Sequence, residues 1–523
     1  MTAATDERGV RLAELVAALS LGIDLGFGQP MEHVLRQCLI ALRLAERIGL
    51  DDGTRATVYY TALLVNVACH TDAHEQAKWF GDDIAMKATK YDHEPKSLAD
   101  TVGMLRLIGS GHSPRQRFQS ALDFARHGVA EASNMLVMHA RLAGQLAEEL
   151  GLSDDVCDAL VGSYEYWNGK GWPGERAGAD IPAAARVALV AEYVEVAHRT
   201  GGIDAVVALV ARRAGKMFDP ELATCIGDDA AHILDDIDGV ATWAAVIDAE
   251  PALTMRLDAP AFDRALTAIA DFVDLKSPYM LGHSRAVSEL AAEAGRGAGL
   301  PGTDVVMLRR AGRVQNFGRL GVSNAIWDKA APLTVGEWER VRMHPYFTER
   351  MMKQSEALAP LGRLAVAHRE RLDGSGYPRG LTGNAIPMPA RILGAADAYQ
   401  AMRERRPHRE PLDAAGAARE LRAEVRAGRL DGDAVAAVLA AAGHRTPRRR
   451  DGPAGLTARE VEVLALLAQG LSNKQIAEQL GISPKTAGNH IEHIYAKIGA
   501  GNRASAGLFA MQHGLLPEER YET

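Results

Sequence analysis

Apolar residues recur every three to four positions through most of this chain, the spacing of helices that bury one face. VLRQCLIALRLAERIGL, Val34 to Leu50, carries the pattern, and VEVLALLAQG, Val461 to Gly470, repeats it near the other end. Strand-like alternation is scarce, so the fold class predicted is all-α. Punctuation is clearest after Leu456. Thr457 and Glu460 make a T-x-x-E capping box, and Gly470 closes the helix it opens. Ser472 and Gln475 open a shorter helix that Gly481 ends. Ser483, with Pro484 at the first helical position, opens a third that runs to about Gly499. On that third helix Ala487, Ile491, Ile494 and Ile498 form one stripe and face a core. Lys485, Thr486, Asn489, His490, His493 and Lys497 project the other way. Two short helices around a tight glycine turn, the second presenting polar donors, have the shape that enters a DNA major groove. A plain helical bundle with a polar face is the alternative.

The rest of the chain repeats itself. GKGWPGERAGADIPAAARVALVAE, Gly169 to Glu192, aligns without a gap on GSGYPRGLTGNAIPMPARILGAAD, Gly374 to Asp397, at an offset of 205. The same offset places His139 on His344. Further upstream the offset is 250, which sets His33 on His283 and VNVA from Val65 on QNFG from Gln315. Two helical units therefore stand in tandem, and the first carries about 45 extra residues between Asn66 and His139, roughly 70–135. The sequence predicts a first repeat over 1–245 and a second over 255–442. A basic linker with Pro447 and Gly452-Pro453 follows over 443–454, and the compact last unit covers 455–518.

Composition narrows the function classes. Apolar residues make up 47% and charged residues 24% of the 523, ordinary values for globular protein. The net charge of −8 excludes a chain that is basic throughout, so DNA contact must be local. From Arg445 to Pro517 nine basic and five acidic residues leave +4, which suits weak, dimer-dependent binding. Four scattered cysteines form no CxxC pair and fit a reduced compartment. No apolar run reaches membrane-spanning length and the first residues lack signal-peptide order, so a cytoplasmic protein with no membrane contact is expected.

The last unit resembles the LuxR-type (NarL/GerE-like) DNA-binding domain along its whole length. That resemblance makes SNKQIAEQLGISPKTAGNH the scaffold and recognition helices, and a final helix near Ala504 to Gln512 the dimerisation element. It implies that Lys485, Thr486, Asn489 and His490 meet bases and phosphates, with Lys497 near the DNA backbone. Gly488 departs from the family, which often has a bulkier or basic residue there. A mid-helix glycine costs about 0.5–1 kcal/mol against alanine.

DGSGYPRGLTG with IPMPARILGAADAY, supported by GRLGVSNAIWDKAAPLTVGEWERVRMHP, resembles the HD-GYP family from about Tyr279 to Arg409. These are helical phosphohydrolases that open cyclic dinucleotides with two metal ions, bridged by the carboxylate of an adjacent His-Asp pair. The resemblance assigns His283, His344, His368 and Asp397 as surviving ligand positions. Gln315 and Asn316 stand where the His-Asp pair belongs, Arg319 where a lysine does, and Arg369 at the second of the paired histidines. An amide cannot bridge two cations, and Arg369 puts a fixed positive charge at a metal position. At most a single divalent metal is expected, no catalytic residue is assigned, and no other cofactor is implied. In the first copy Val65 and Asn66 replace the pair, Ser163 and Tyr164 the histidines, and Glu192 the late carboxylate.

The turn Gly374 to Pro378 is read as structural, with a retained ligand loop as the alternative. CHTDAH, Cys69 to His74, is read as a solvated helix end. Arg319, Arg369 and Arg371 predict a basic pocket for an anionic ligand. The reading is a homodimeric transcription regulator with a degenerate HD-type sensory or oligomerising body, responding to an anionic small molecule or a protein. A metal-dependent phosphohydrolase is the rival.

Overall fold

A computed structural model describes residues 9–92, 107–109, 114–124, 126, 129–251, 255–444, 453–513 and 515. It is helical throughout, with one pair of two-residue strands, Val10–Arg11 antiparallel to Arg256–Leu257. The chain separates into a body, Met1–Ala442, and a smaller unit, Gly443–Thr523.

In the body, repeated residues build repeated elements. His33–Arg47 recurs as His283–Gly297, and Asp52–Leu64 as Gly302–Val314. Asp154–Val161 and Ala359–Ala365 begin 205 residues apart, as do the single 3₁₀ turns Gly178–Asp180 and Gly383–Ala385. The anchoring bonds recur too. Asp24 accepts the Val34 amide at 3.1 Å and Asp274 the Ser284 amide at 2.8 Å, each at the start of the following helix. Glu165 gathers amides of Gly174 to Arg176, and Glu370 those of Arg379 and Leu381, both at distances from 2.8 Å upward. Gly376 passes so close to Glu370 and Arg371 that a Cβ would lie 2.3–2.5 Å from their backbone, and Gly171 is as crowded. Close approach of backbones explains the glycine at that position of both turns.

Asp24 is wholly buried, and its Oδ2 has no protein partner. Burial pushes its carboxyl up to about 7, against the pull of His33 and the Val34 amide. A carboxyl raised in the folded state favours folding while protonated, and that advantage fades as pH rises from about 4 through 7. Asp24→Asn keeps an acceptor for Val34 and removes the charge. The variant is expected to unfold later than wild type at pH 8, by about 1–3 kcal/mol, and to match it near pH 4. Urea midpoints at the two pH values check this, and equal differences at both would refute it.

One apolar core runs from Leu12 to Ala365, crossing the expected boundary at 245–255, while a second, Val287 to Leu439, belongs to the later repeat. Within the expected insertion, helices Ala73–Phe80, Asp83–Ala88 and Pro114–Asp123 are described, and the remainder lies partly outside the described residues. Buried Asp83 ties this segment to the later repeat, meeting Lys87 at 3.1 Å, Lys276 at 3.5 Å, Ser323 Oγ at 2.7 Å and the Asn324 amide at 2.8 Å. The solvated end expected at Cys69–His74 is instead a paired seam, with Cys69, His70 and Ala73 buried and Thr71, Asp72 and His74 half-buried. His70 sits between the carbonyls of Val67 and Phe272, Asp72 pairs with His139 at 2.5 Å, and His74 pairs with Asp328 at 2.8 Å. Partners distant in sequence neutralise a run that looks hydrophilic by itself.

The smaller unit follows its punctuation. Capping boxes at Thr457/Glu460 and Ser472/Gln475 open Ala458–Ala468 and Asn473–Leu480. Ser483 caps Pro484–Ile498, Gly481 and Gly499 take left-handed conformations, and Arg503–Gln512 closes the unit. Of the basic linker, 445–452 lies outside the described residues. Among the described residues no helix is long and apolar enough to cross a membrane.

Candidate functional site

In the later repeat, the helix Met388–Arg403 carries Asp397 into the interior, where it meets residues from three other segments. His283 opens its helix and places Nε2 3.2 Å from Asp397 Oδ1; Gln315 Nε2 approaches the same oxygen at 3.3 Å. Arg369 Nη2 holds Oδ2 at 3.1 Å, and Arg369 Nε donates to His368 Nε2 at 3.1 Å. His344 lies beside His368 with ring centroids 5.5 Å apart. Its Nδ1 bonds the Val341 carbonyl at 2.7 Å and its Nε2 is buried without a protein partner. The four expected ligand residues are thus gathered in one place.

A metal ion does not fit this arrangement. The guanidinium of Arg369 stands between Asp397 and His368, bonding the His368 ring nitrogen and setting a fixed positive charge 3.1 Å from Asp397 Oδ2, where a cation would have to sit, and Gln315 and Asn316 add only neutral amides. Among the described residues no group of three or more His, Cys, Asp or Glu is arranged to hold a metal. Charge balance comes from side chains instead. Burial alone would raise the Asp397 carboxyl, but Arg369 and His283 hold it well below its ordinary range. Burial and then Arg369 push His368 down to about 3, and the same pair of causes with His368 keeps His344 neutral. His283 is raised against burial by Asp397 and Glu404.

Beside this cluster opens a cavity of about 570 Å³. Arg319 and Arg369 line it, as the sequence suggested, together with Trp327, Tyr377 and His344. Arg319 lies over the Trp327 ring, its Cζ 3.6 Å from the centroid, and among the described residues no carboxylate pairs with it. Burial, then Arg406 and Arg369, push its guanidinium down to about 9, so it remains a cation near neutral pH. Arg371 departs from expectation: its Nη1 is turned to the carbonyls of His368 and Glu370, and it does not line the cavity. Arg406 and Arg409 do. Their signal was the run RERRPHRE, Arg403 to Glu410, just past the Asp397 helix. Tyr377 reaches the cavity from the Gly374–Pro378 turn, so that turn supplies a wall as well as a bend.

The matched site of the first repeat is built differently. Asn66 Nδ2 reaches Glu192 at 2.9 Å, Tyr164 Oη lies 3.3 Å from the Cys69 thiol, and His33 pairs with Glu195 rather than with Glu192.

On the helix Pro484–Ile498, Lys485, Thr486, Asn489 and His493 are exposed and His490 is half-buried. Lys497, also exposed, is committed elsewhere: its Nζ meets Glu460 at 2.7 Å and the Gly455 carbonyl at 3.2 Å. It braces the first helix of this unit. Gly488 has free space, since a Cβ there would find its nearest neighbour, Asn473 Nδ2, at 3.8 Å.

Residues 267–434 match the HD domain, and residues 454–510 match the bacterial regulatory proteins of the luxR family. The chain is 31% identical over 410 residues to the 3'3'-cGAMP-specific phosphodiesterase 3 of Vibrio cholerae, covering 77% of this chain and 89% of that one. A cyclic di-GMP phosphodiesterase of Thermotoga maritima is 33% identical over 141 residues, 27% of this chain and 38% of that protein. A crystal structure of a cyclic GMP-AMP-specific phosphodiesterase of Vibrio cholerae superposes with a TM-score of 0.58 at 26% identity. The match covers 84% of this chain and 99% of that one. The chain belongs to the HD-domain family of these phosphodiesterases, and it carries a LuxR-type DNA-binding domain behind that body.

Proposed function

We propose that this protein is a LuxR-type transcription regulator whose body consists of two degenerate HD-type repeats, the second of which senses an anionic ligand. The observation that carries the reading is the half-buried Arg319, which lies over Trp327 with no carboxylate partner among the described residues and opens to a cavity whose wall also holds Arg369 and Arg406. A half-buried guanidinium with no carboxylate partner among the described residues has donors free to take an anion in a charge-assisted hydrogen bond. The same geometry opposes hydrolysis, because Arg369 sets a fixed positive charge beside the carboxylate that a metal pair would need. The relatives' names make 3'3'-cGAMP and cyclic di-GMP the first anions to try. Ligand binding would shift the arrangement of a cytoplasmic homodimer and so the fit of its two readers to paired half-sites.

Wild-type protein is expected to show a saturable rise in thermal midpoint with one of these nucleotides and no product formation. Arg319→Ala is expected to weaken that binding about 10–100-fold, the loss of a charged hydrogen bond. No response to any anion would sink the sensor reading. A second reading, a metal-dependent phosphohydrolase, draws on the gathering of His283, His344, His368 and Asp397. Protein purified in manganese and iron decides it: two ions per chain with turnover would establish hydrolysis, and no bound metal with no turnover would exclude it.

A further inference from the structure

The site of the first repeat is closed by a side chain from the inserted segment. Lys90 follows the helix Asp83–Ala88, in the stretch between Asn66 and His139 where the first repeat carries its extra residues. Its Nζ lies 2.5 Å from Oε1 of Glu192, the residue aligned with Asp397, and 3.3 Å from Oδ1 of Asn66, aligned with Asn316. Tyr91 Oη donates to the same Glu192 oxygen at 2.7 Å. Four rings surround the ammonium: Phe27, Tyr91, Tyr164 and Tyr193 have centroids 5.1, 5.5, 5.9 and 5.9 Å from Nζ. They come from separate parts of the chain and converge on one point.

An aromatic face attracts a cation more strongly as water is excluded, and here Glu192 is 1% exposed and the Lys90 side chain 23%. Burial alone would lower the Lys90 pKa, but Glu192 outweighs it, so the group in the cage is a cation. The later repeat answers the same need with Arg369 on Asp397, drawn from its own copy of the motif. The adjoining gap lined by Phe27, Asn66 and Cys69 has no room for a water molecule.

We propose that the first repeat has become a cage for a primary alkylammonium ion, and that its resident occupant is Lys90 of the inserted segment. The cage binds the chain's own side chain, so the first repeat offers no free site while Lys90 is seated, and ligand entry is left to the later repeat. Truncating Lys90, as Lys90→Ala does, vacates the cage and leaves a site for a small ammonium such as the end of a polyamine. The inference does not depend on the anion site of the later repeat, and its test uses no nucleotide.

The experiment is chemical rescue in the full-length protein. Lys90→Ala is expected to lower the thermal midpoint, and methylammonium chloride to restore much of the loss saturably, where sodium chloride at equal ionic strength does not. Lys90→Ala combined with Glu192→Gln is expected to lose the rescue. A folded Lys90→Ala protein that responds equally to the two salts would overturn the cage. Should that variant fail to fold, Glu192→Gln alone is expected to raise amide exchange across residues 83–92, and unchanged protection there would overturn it equally.

Discussion

Arg369→Gln is expected to destabilise the body by about 3–5 kcal/mol, because it takes from a fully buried carboxylate its stronger counter-charge and leaves His283 alone to balance it. Asp397 is 0% exposed and the Arg369 side chain 22%, so solvent replaces little of what is lost. Gln315 and His283 stay on Oδ1, but neither reaches Oδ2. Lysine at 369 keeps the charge and loses the fork that spans Asp397 and His368, and an intermediate loss is expected. The decisive comparison is the pair Arg369→Gln with Asp397→Asn. Removing both charges should cost less than removing Arg369 alone, since an uncompensated buried charge is worse than a neutral pair. Urea midpoints of the four proteins give the coupling. Additive losses would mean that Arg369 acts through packing and that the carboxylate has another counter-ion, which would reopen the case for a metal at that position.

How much of this was legible beforehand follows from the range of the interactions involved. The reader unit was legible almost to the residue, because capping boxes, Pro484 and the closing glycines Gly481 and Gly499 act within one turn of chain. The repeat was legible because Gly169–Glu192 and Gly374–Asp397 align without a gap, and His33 with His283 keeps a second fixed offset. What escaped were contacts across distance. Arg371 stands two residues from Arg369 and was grouped with it, yet the tight bend at Gly376 turns it onto main-chain carbonyls. Arg406 and Arg409 enter the cavity only because their loop folds back over His283, with Arg406 donating to the Tyr279 carbonyl at 2.7 Å. The Cys69–His74 run looked solvated because its partners, His139 and Asp328, lie far along the chain. Lys90 carried no local signal at all.

In the reader, Asn489 and Lys485 are expected to fail in different ways, and the difference tests which surface meets DNA. Asn489 stands mid-helix and exposed, where an amide can make the two hydrogen bonds that read an adenine edge. Asn489→Ala should cost about 1–3 kcal/mol on the preferred site and little on random DNA. Lys485 is in the first turn, exposed and without a carboxylate partner among the described residues, which suits a phosphate. Lys485→Ala should weaken all sequences alike and lower the slope of log affinity against log salt by about 1. Lys497 offers the internal control. Its ammonium already braces Glu460, so Lys497→Ala should lower the unit's stability while changing the salt slope less than Lys485→Ala does. Anisotropy titrations of the full-length protein on a selected site and a scrambled one, at several salt concentrations, separate the three. Equal losses on both DNAs for Asn489→Ala would move base reading off this helix position. A Lys497→Ala slope change as large as that of Lys485→Ala would show that DNA competes successfully with Glu460 for that charge, placing the bound helix deeper in the groove than its free contacts suggest.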